Sequence, residues 1–166
     1  MENADWFGIR VKSRCEHRAH EDLSQRGFES FLPLCSVRRH WSDRVKTLQV
    51  PLFSGYLFCR FALQERVRVL NAAGVAQIVG FGNTPVPIVE AEIRSVRALV
   101  TSNVACVPWP YLRSGQRVSI DHGPLSGVEG VILRAETGKP RVVVSVTMLL
   151  RSVAAEIERD WIGRVQ

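Results

Sequence analysis

The side chains able to attack, transfer a proton or ligate a metal are few in this chain, and their spacing does not assemble them. His17 and His20 stand three residues apart and could be combined with Cys15 or Cys35. Structural zinc, however, is held by four ligands at set spacings, and Cys15, Cys35, Cys59 and Cys106 form no Cys-x-x-Cys pair. No metal site or cofactor is therefore expected. The stretch Gly123-Pro124-Leu125-Ser126-Gly127-Val128-Glu129-Gly130 resembles a nucleotide loop in its glycines, but it lacks the Lys-Ser/Thr pair that reaches phosphate, and no helical pattern follows. It reads as a turn displaying Leu125. No Ser-His-Asp or Cys-His arrangement is signalled, so an enzyme is not expected.

The remaining chemistry is that of recognition. Pro51-Leu-Phe-Ser-Gly-Tyr-Leu-Phe-Cys-Arg-Phe61 is the densest aromatic run in the chain, with Phe53, Tyr56, Phe58 and Phe61. Alternation beyond Ser54-Gly55 sends Leu57, Cys59 and Phe61 to one side of a strand and Tyr56, Phe58 and Arg60 to the other. The first set builds a core. The second is a docking surface unless another layer covers it. Cations cluster twice nearby: Arg10, Lys12, Arg14 and Arg18 at a strand-helix junction, and Arg38, Arg39, Arg44 and Lys46 in a polar stretch whose one acid is Asp43. Trp41 in that second cluster is available to stack on a base. Within the first, Arg18 with Asp22 and Arg14 with Glu16 also suit an ordinary solvated face.

Period-2 and period-3.6 patterns supply the elements that position these groups. Trp6–Val11 is a strand with Phe7, Ile9 and Val11 opposite Trp6, Gly8 and Arg10. Ser13 with Glu16 has the capping-box spacing, and Gly27 is a helix stop, giving a helix over 14–26 with Cys15, Ala19 and Leu23 inward. Strands follow at 28–34 and 56–61, separated by a hairpin over 37–50 with its tip at Ser42-Asp43-Arg44. A helix over 63–73 buries Leu63, Val67, Leu70 and Ala73, a strand spans 75–81, Thr84-Pro85-Val86-Pro87 makes a rigid turn, and a helix over 90–100 carries Ile93, Val96, Leu99 and Val100. The order β-α-β-β-α-β gives an antiparallel four-stranded sheet with helices on one side, an α+β arrangement. Its other side carries Trp6, Tyr56 and Phe58, rimmed by Arg10 and Arg60. Pro108-Trp109-Pro110 marks a linker, and short β-branched runs at 116–120, 130–135, 141–146 and 154–157 predict a small closed barrel. The domains expected are 1–100, a linker at 101–112 with Trp109 and Tyr111 as the best cover for the aromatic face, and an all-β barrel at 113–166.

Bulk composition is consistent with this division. At 166 residues with 46% hydrophobic content, a packed core is attainable. A net charge of +6 favours anionic partners. Scattered cysteines and the absence of an apolar leader point to the cytoplasm, and no run is long enough for a membrane span.

Trp6-Phe7, Pro51-Leu-Phe-Ser-Gly-Tyr-Leu-Phe, Gly74-Val-Ala-Gln-Ile-Val-Gly-Phe-Gly with Pro85-Val-Pro87, and Gly115-Gln-Arg-Val with Gly123-Pro-Leu-Ser-Gly occur in the order in which the NusG family of transcription elongation factors carries them. The chain resembles that family over nearly its whole length. The resemblance implies a NusG-type N-terminal domain and an SH3-like KOW barrel in a monomer. It implies that Trp6, Arg10, Phe53, Tyr56 and Phe58 contact the clamp helices of the RNA polymerase β′ subunit and favour processive elongation and antitermination. In operon-specific relatives of the RfaH type, basic residues at the first helix read the non-template DNA strand; Lys12 and Arg18 match them. Arg14, Arg38, Arg39 and Arg44 join that DNA-binding set on charge. The barrel is expected to meet termination factor Rho or a small-subunit ribosomal protein through Leu125, Met148, Leu149 and Leu150. Phe53-Ser54-Gly55-Tyr56 departs from the family's Phe-Pro-Gly-Tyr. Glu65-Arg66-Val67 replaces the His-Thr-Thr that touches the polymerase β gate loop in RfaH. Cationic clustering favours a specialised paralogue over the general factor. The alternative is a single-stranded RNA-binding protein with a KOW barrel, since Gly55-Tyr-Leu-Phe-Cys-Arg-Phe61 approximates the aromatic strand of RNA-recognition motifs.

Overall fold

Two patterns of alternation lay down most of the chain, and a computed structural model describes residues 3–112, 114–134 and 137–165 of it. The elements of the first half are β1 (Asp5–Val11), α1 (Glu16–Gln25), β2 (Glu29–Phe31), β3 (Leu34–Trp41), β4 (Arg44–Pro51) and β5 (Tyr56–Phe61). A 3-10 turn at Leu63–Glu65 then runs into α2 (Arg66–Leu70), followed by β6 (Val75–Ile78), β7 (Gly80–Phe81), β8 (Thr84–Pro85) and α3 (Glu90–Thr101). The remainder is β9 (Cys106–Trp109), β10 (Arg117–Ile120), β11 (Glu129–Leu133), β12 (Arg141–Val146), β13 (Arg151–Glu156) and β14 (Ile162–Val165). Contacts group the chain into two compact units. One holds Met1–Pro33, Phe53–Glu90 and Thr147–Leu149; the other holds Leu34–Leu52, Ala91–Val146 and Leu150–Gln166.

The first unit is built on an antiparallel sheet in the order β2-β5-β1-β6. Phe7 pairs with Cys59, Ile9 with Leu57 and Ile9 with Ile78, so these apolar side chains share a face. That face closes on Ala19 and Leu23 of α1 and Val69 of α2. Each such side chain, fully buried, contributes about 1.5–3 kcal/mol relative to exposure. The expected β-α-β-β-α-β order and sheet are present, with three local differences. Helix α1 begins at Cys15 without a side-chain cap, because the Glu16 carboxylate accepts the Gly55 amide at 3.0 Å instead of closing a box on Ser13. The second helix is shorter than 63–73, and Leu63, Val67 and Leu70 face outward while Val69 and Ala72 are buried. A 3-10 turn has three residues per turn, so it advances the phase and presents a different stripe inward. Finally, the strand predicted over 75–81 breaks at Val79, and Gly80–Phe81 turns to pair with Thr84–Pro85.

In the second unit β3 and β4 form a two-stranded ribbon, registered from Leu34↔Pro51 to Trp41↔Arg44 and turned by Ser42 and Asp43. Ile93, Val96 and Leu99 of α3 are buried. The Ser95 hydroxyl accepts the Glu129 amide at 3.0 Å, so α3 is tied to β11. The all-β half is a sheet in the order β14-β10-β11-β12-β13-β9. Strand β9 comes from the segment read as linker: Cys106 to Trp109 pair with Ala155 to Ser152 and occupy the edge of β13. Pro108 is tolerated there because an edge strand need not donate on its outer side. The predicted strand 130–135 runs as Glu129–Leu133, and Ala135 lies outside the described residues. Among the described residues, no helix is long and apolar enough to cross a membrane.

Candidate functional site

The register of β1 on β5 fixes the composition of the sheet's second face. Trp6 pairs with Arg60, Gly8 with Phe58 and Arg10 with Tyr56, while Phe31 of β2 lies opposite Phe58. Phe58 stands between Phe31 at 5.9 Å and the Phe53 ring, which meets it edge-on at 5.9 Å. The predicted set Trp6, Arg10, Tyr56 and Phe58 is thus brought together, with Phe53 at its margin and Phe31 added. Sequence reading missed Phe31 because its strand is only three residues long and shows no alternation of its own.

This face is not open, which corrects the expectation. Trp6 is 6% exposed, Phe53 3% and Phe58 0%; Arg10 is exposed and Tyr56 half-buried. The covers are two short segments of the same unit. The Ile88 amide donates to the Trp6 carbonyl at 2.7 Å, laying the strap after β8 across β1. The turn Thr147–Leu149 covers Gly8, where an added Cβ would lie 2.8 Å from Leu149 Cδ2 and 3.4 Å from Ile88 Cδ1. Glycine at position 8 leaves a slot above the sheet that aliphatic side chains fill. Trp109, which was expected with Tyr111 to form the cover, carries the Arg141 guanidinium 5.1 Å above its ring. The RNA-recognition alternative loses its basis as well, since bases stack on open aromatics and Phe58 has none of its surface exposed.

Leu149 is buried at 4%, Met148 is half-buried and Leu150 is exposed, at φ +51°. Leu125, expected to be displayed, is fully buried. The Val128 amide donates to the Leu125 carbonyl at 3.0 Å and the Gly127 amide to the Ile120 carbonyl at 2.9 Å, folding the glycine-rich turn back over β10.

Lys12, Arg14 and Arg18 are exposed at the junction of β1 and α1, with Arg14 at φ +61°. Among the described residues, Arg18 forms no ion pair with Asp22; Asp22 accepts instead from the Ala73 amide at 2.6 Å and Arg26 at 3.3 Å. The Ala73 amide, ahead of Arg26, holds the Asp22 carboxyl below the usual range. Arg38, Arg39 and Arg44 are exposed on the ribbon, where Arg44 and Lys46 lie 5.7 and 5.3 Å from the Trp41 ring centre.

The metal- and thiol-bearing side chains are committed elsewhere. His20 Nδ1 bonds the Ser30 hydroxyl at 2.8 Å, and burial, then His17, pulls its pKa down. Burial pushes the Cys59 thiol up to about 12 and the Cys106 thiol up to about 11, far from the thiolate form. Among the described residues, no three His, Cys, Asp or Glu side chains are placed to hold a metal ion.

A split antiparallel sheet with one helical and one aromatic face, followed by an all-β half, defines the class: a two-part protein of the NusG architecture. Comparison with known proteins gives the family. Residues 4–97 match the NusG family model, described as transcription termination factor nusG, and the chain belongs to that family. It is 24% identical to the transcription termination/antitermination protein NusG of Campylobacter jejuni, covering 99% of both chains. The corresponding protein of Borreliella burgdorferi is 22% identical over 96% of this chain and 98% of its own. That of Thermus thermophilus is 23% identical over 93% and 95%. A solved structure described as "Domain interaction in Thermotoga maritima NusG" shares the fold at a TM-score of 0.57 and 20% identity, covering 98% of each chain.

Proposed function

We propose that this protein is a transcription elongation and antitermination factor that binds the β′ clamp helices of RNA polymerase through the second face of its first sheet. The observation that supports this is the composition of that face: Trp6, Arg10, Phe31, Tyr56 and Phe58 gathered by one register, while the opposite face is committed to α1 and α2. Aromatic and arginine side chains are the usual anchors of protein interfaces. Family membership supplies the partner class. Access to Trp6 and Phe58 requires the Leu149 turn to leave the slot above Gly8. Lys12, Arg14, Arg18, Arg38, Arg39 and Arg44 supply exposed cations for the non-template strand, which supports an operon-specific role. For the all-β half, Leu150 and Met148 are the accessible members of the set proposed to meet Rho or a small-subunit ribosomal protein.

The test uses the accessible members of the face. Arg10→Ala with Tyr56→Ala is expected to reduce co-purification with core polymerase at least tenfold while circular dichroism and the unfolding midpoint stay near those of the parent. Retained polymerase binding overturns the proposal.

A further inference from the structure

The ribbon of β3 and β4 has two faces of unequal chemistry, and the register separates them. Directly paired residues project to the same side of an antiparallel ladder. Arg39↔Lys46 and Trp41↔Arg44 therefore share one face with Val37↔Leu48, while Arg38↔Thr47 and His40↔Val45 occupy the other. Val37 and Leu48 are half-buried toward the base, whereas Arg39, Trp41, Arg44 and Lys46 are all exposed and Trp41 keeps 50% of its surface. Lys46 Nζ and Arg44 Cζ lie 5.3 and 5.7 Å from the indole centre. Among the described residues, none of the three cations bridges to a carboxylate.

Arg44 and Lys46 lie over one indole, Arg39 is the cross-strand partner of Lys46, and the ribbon's one acid, Asp43, forms no ion pair with any of them among the described residues, so the face carries an excess of positive charge. A polyanion neutralises it. The indole attracts Arg44 and Lys46 through its π face, and the half of its surface that stays exposed also suits a flat ring, which bases offer only when they are unpaired. We propose that this one face of the ribbon is a single-stranded nucleic-acid site, with Trp41 as the stacking platform and Arg39, Arg44 and Lys46 as phosphate ligands. It refines the DNA contact suggested above. Lys46 and Trp41 enter the site, and Arg38, on the opposite face, leaves it.

The ribbon site is tested without polymerase, on the full chain, by fluorescence anisotropy with a labelled twelve-nucleotide oligothymidine, its RNA counterpart and a duplex of equal length. The single strands are expected to bind at least tenfold more tightly than the duplex. Arg39→Ala with Lys46→Ala is expected to weaken single-strand binding tenfold or more and to flatten the log-log salt slope by about 0.7 per cation removed. Trp41→Ala should weaken it about five- to hundredfold. Arg38→Ala should change it less than about twofold. All four positions are exposed, so loss of folding does not confound them. Equal binding to both single strands, or preference for one, keeps the site and identifies the strand it serves. An Arg38→Ala effect as large as that of Arg39→Ala, or duplex binding as tight as single-strand binding with Trp41→Ala silent, overturns it. The polymerase assay separates this inference from the function it refines. Polymerase binding that depends on Arg10 and Tyr56 in a chain that binds no oligonucleotide overturns the ribbon site alone, and oligonucleotide binding that depends on Trp41, Arg39 and Lys46 in a chain whose polymerase binding survives Arg10→Ala with Tyr56→Ala overturns the proposed function alone.

Discussion

The aromatic face of the first sheet and the basic face of the ribbon are written in the same code, alternate residues of paired strands, yet one is buried and the other exposed. The difference lies in what surrounds the strands. Strands β1 and β5 sit in the middle of four, so their second face is broad and flat, and the vacancy at Gly8 admits Leu149 and Ile88 from above. The ribbon has two strands and, among the described residues, no third strand beside them, with every side chain from Arg38 to Thr47 exposed. Aromatic side chains on the wide sheet are thus packed into the structure. On the ribbon Trp41 keeps half of its surface exposed.

Truncating one aromatic in each region breaks this comparison most directly. Phe58 is fully buried between Phe31 and Phe53, so Phe58→Ala is expected to cost about 3–5 kcal/mol of stability. Trp41→Ala on the ribbon should stay within about 0.5 kcal/mol, because it leaves no cavity. Urea unfolding of both variants measures the contrast. Equal costs would mean that the sheet face is no more packed than the ribbon.

How far the sequence revealed these regions follows from the range of the signals. Alternation is a local signal, so the split of Phe7, Ile9, Leu57 and Cys59 from Trp6, Arg10, Tyr56 and Phe58 was readable, as was the ribbon with its tip near Ser42 and Asp43, although Arg44, read as part of the tip, pairs with Trp41 and the ribbon extends to Leu34↔Pro51. The covers are not local: Leu149 lies far along the chain from Gly8, and a turn of three residues carries no periodicity to announce it. The same limit hid β9, whose Pro-x-Pro composition reads as linker until β13 supplies a partner, and the burial of Leu125, which depends on how its turn folds back. In α2, helical spacing picked Leu63, Val67 and Leu70 over Val69 because a 3-10 start cannot be seen in a hydrophobic pattern.

Removing the cover sharpens the comparison by making the sheet face as accessible as the ribbon. Leu149→Asp places a carboxylate in an apolar slot, where burying an unpaired charge is strongly unfavourable. The turn is expected to leave the sheet, raising co-purification with polymerase about tenfold, which corresponds to about 1.4 kcal/mol of relieved competition. Oligonucleotide binding by the ribbon should not change. Unaltered polymerase retention would show that the Thr147–Leu149 turn does not govern access to the face.

The smallest expected effect concerns acid, and it too separates the regions. Asp22 joins α1 to the segment after α2: its carboxylate accepts the Ala73 amide, and Arg26 extends the link by donating to the Asn71 carbonyl at 3.3 Å. The Ala73 amide first, then Arg26, lower its pKa from the ordinary 3.8, so the folded state releases this proton more readily than the unfolded one. The stabilisation is therefore complete above that ordinary value and fades as pH falls below it toward the lowered one. Asp22→Asn retains an acceptor but has no proton to bind. Between pH 5 and pH 3 the parent should lose stability slightly faster than Asp22→Asn, as read from urea midpoints at each pH. Parallel curves would show that the charge of Asp22 contributes nothing to the link between helix α1 and the segment after α2.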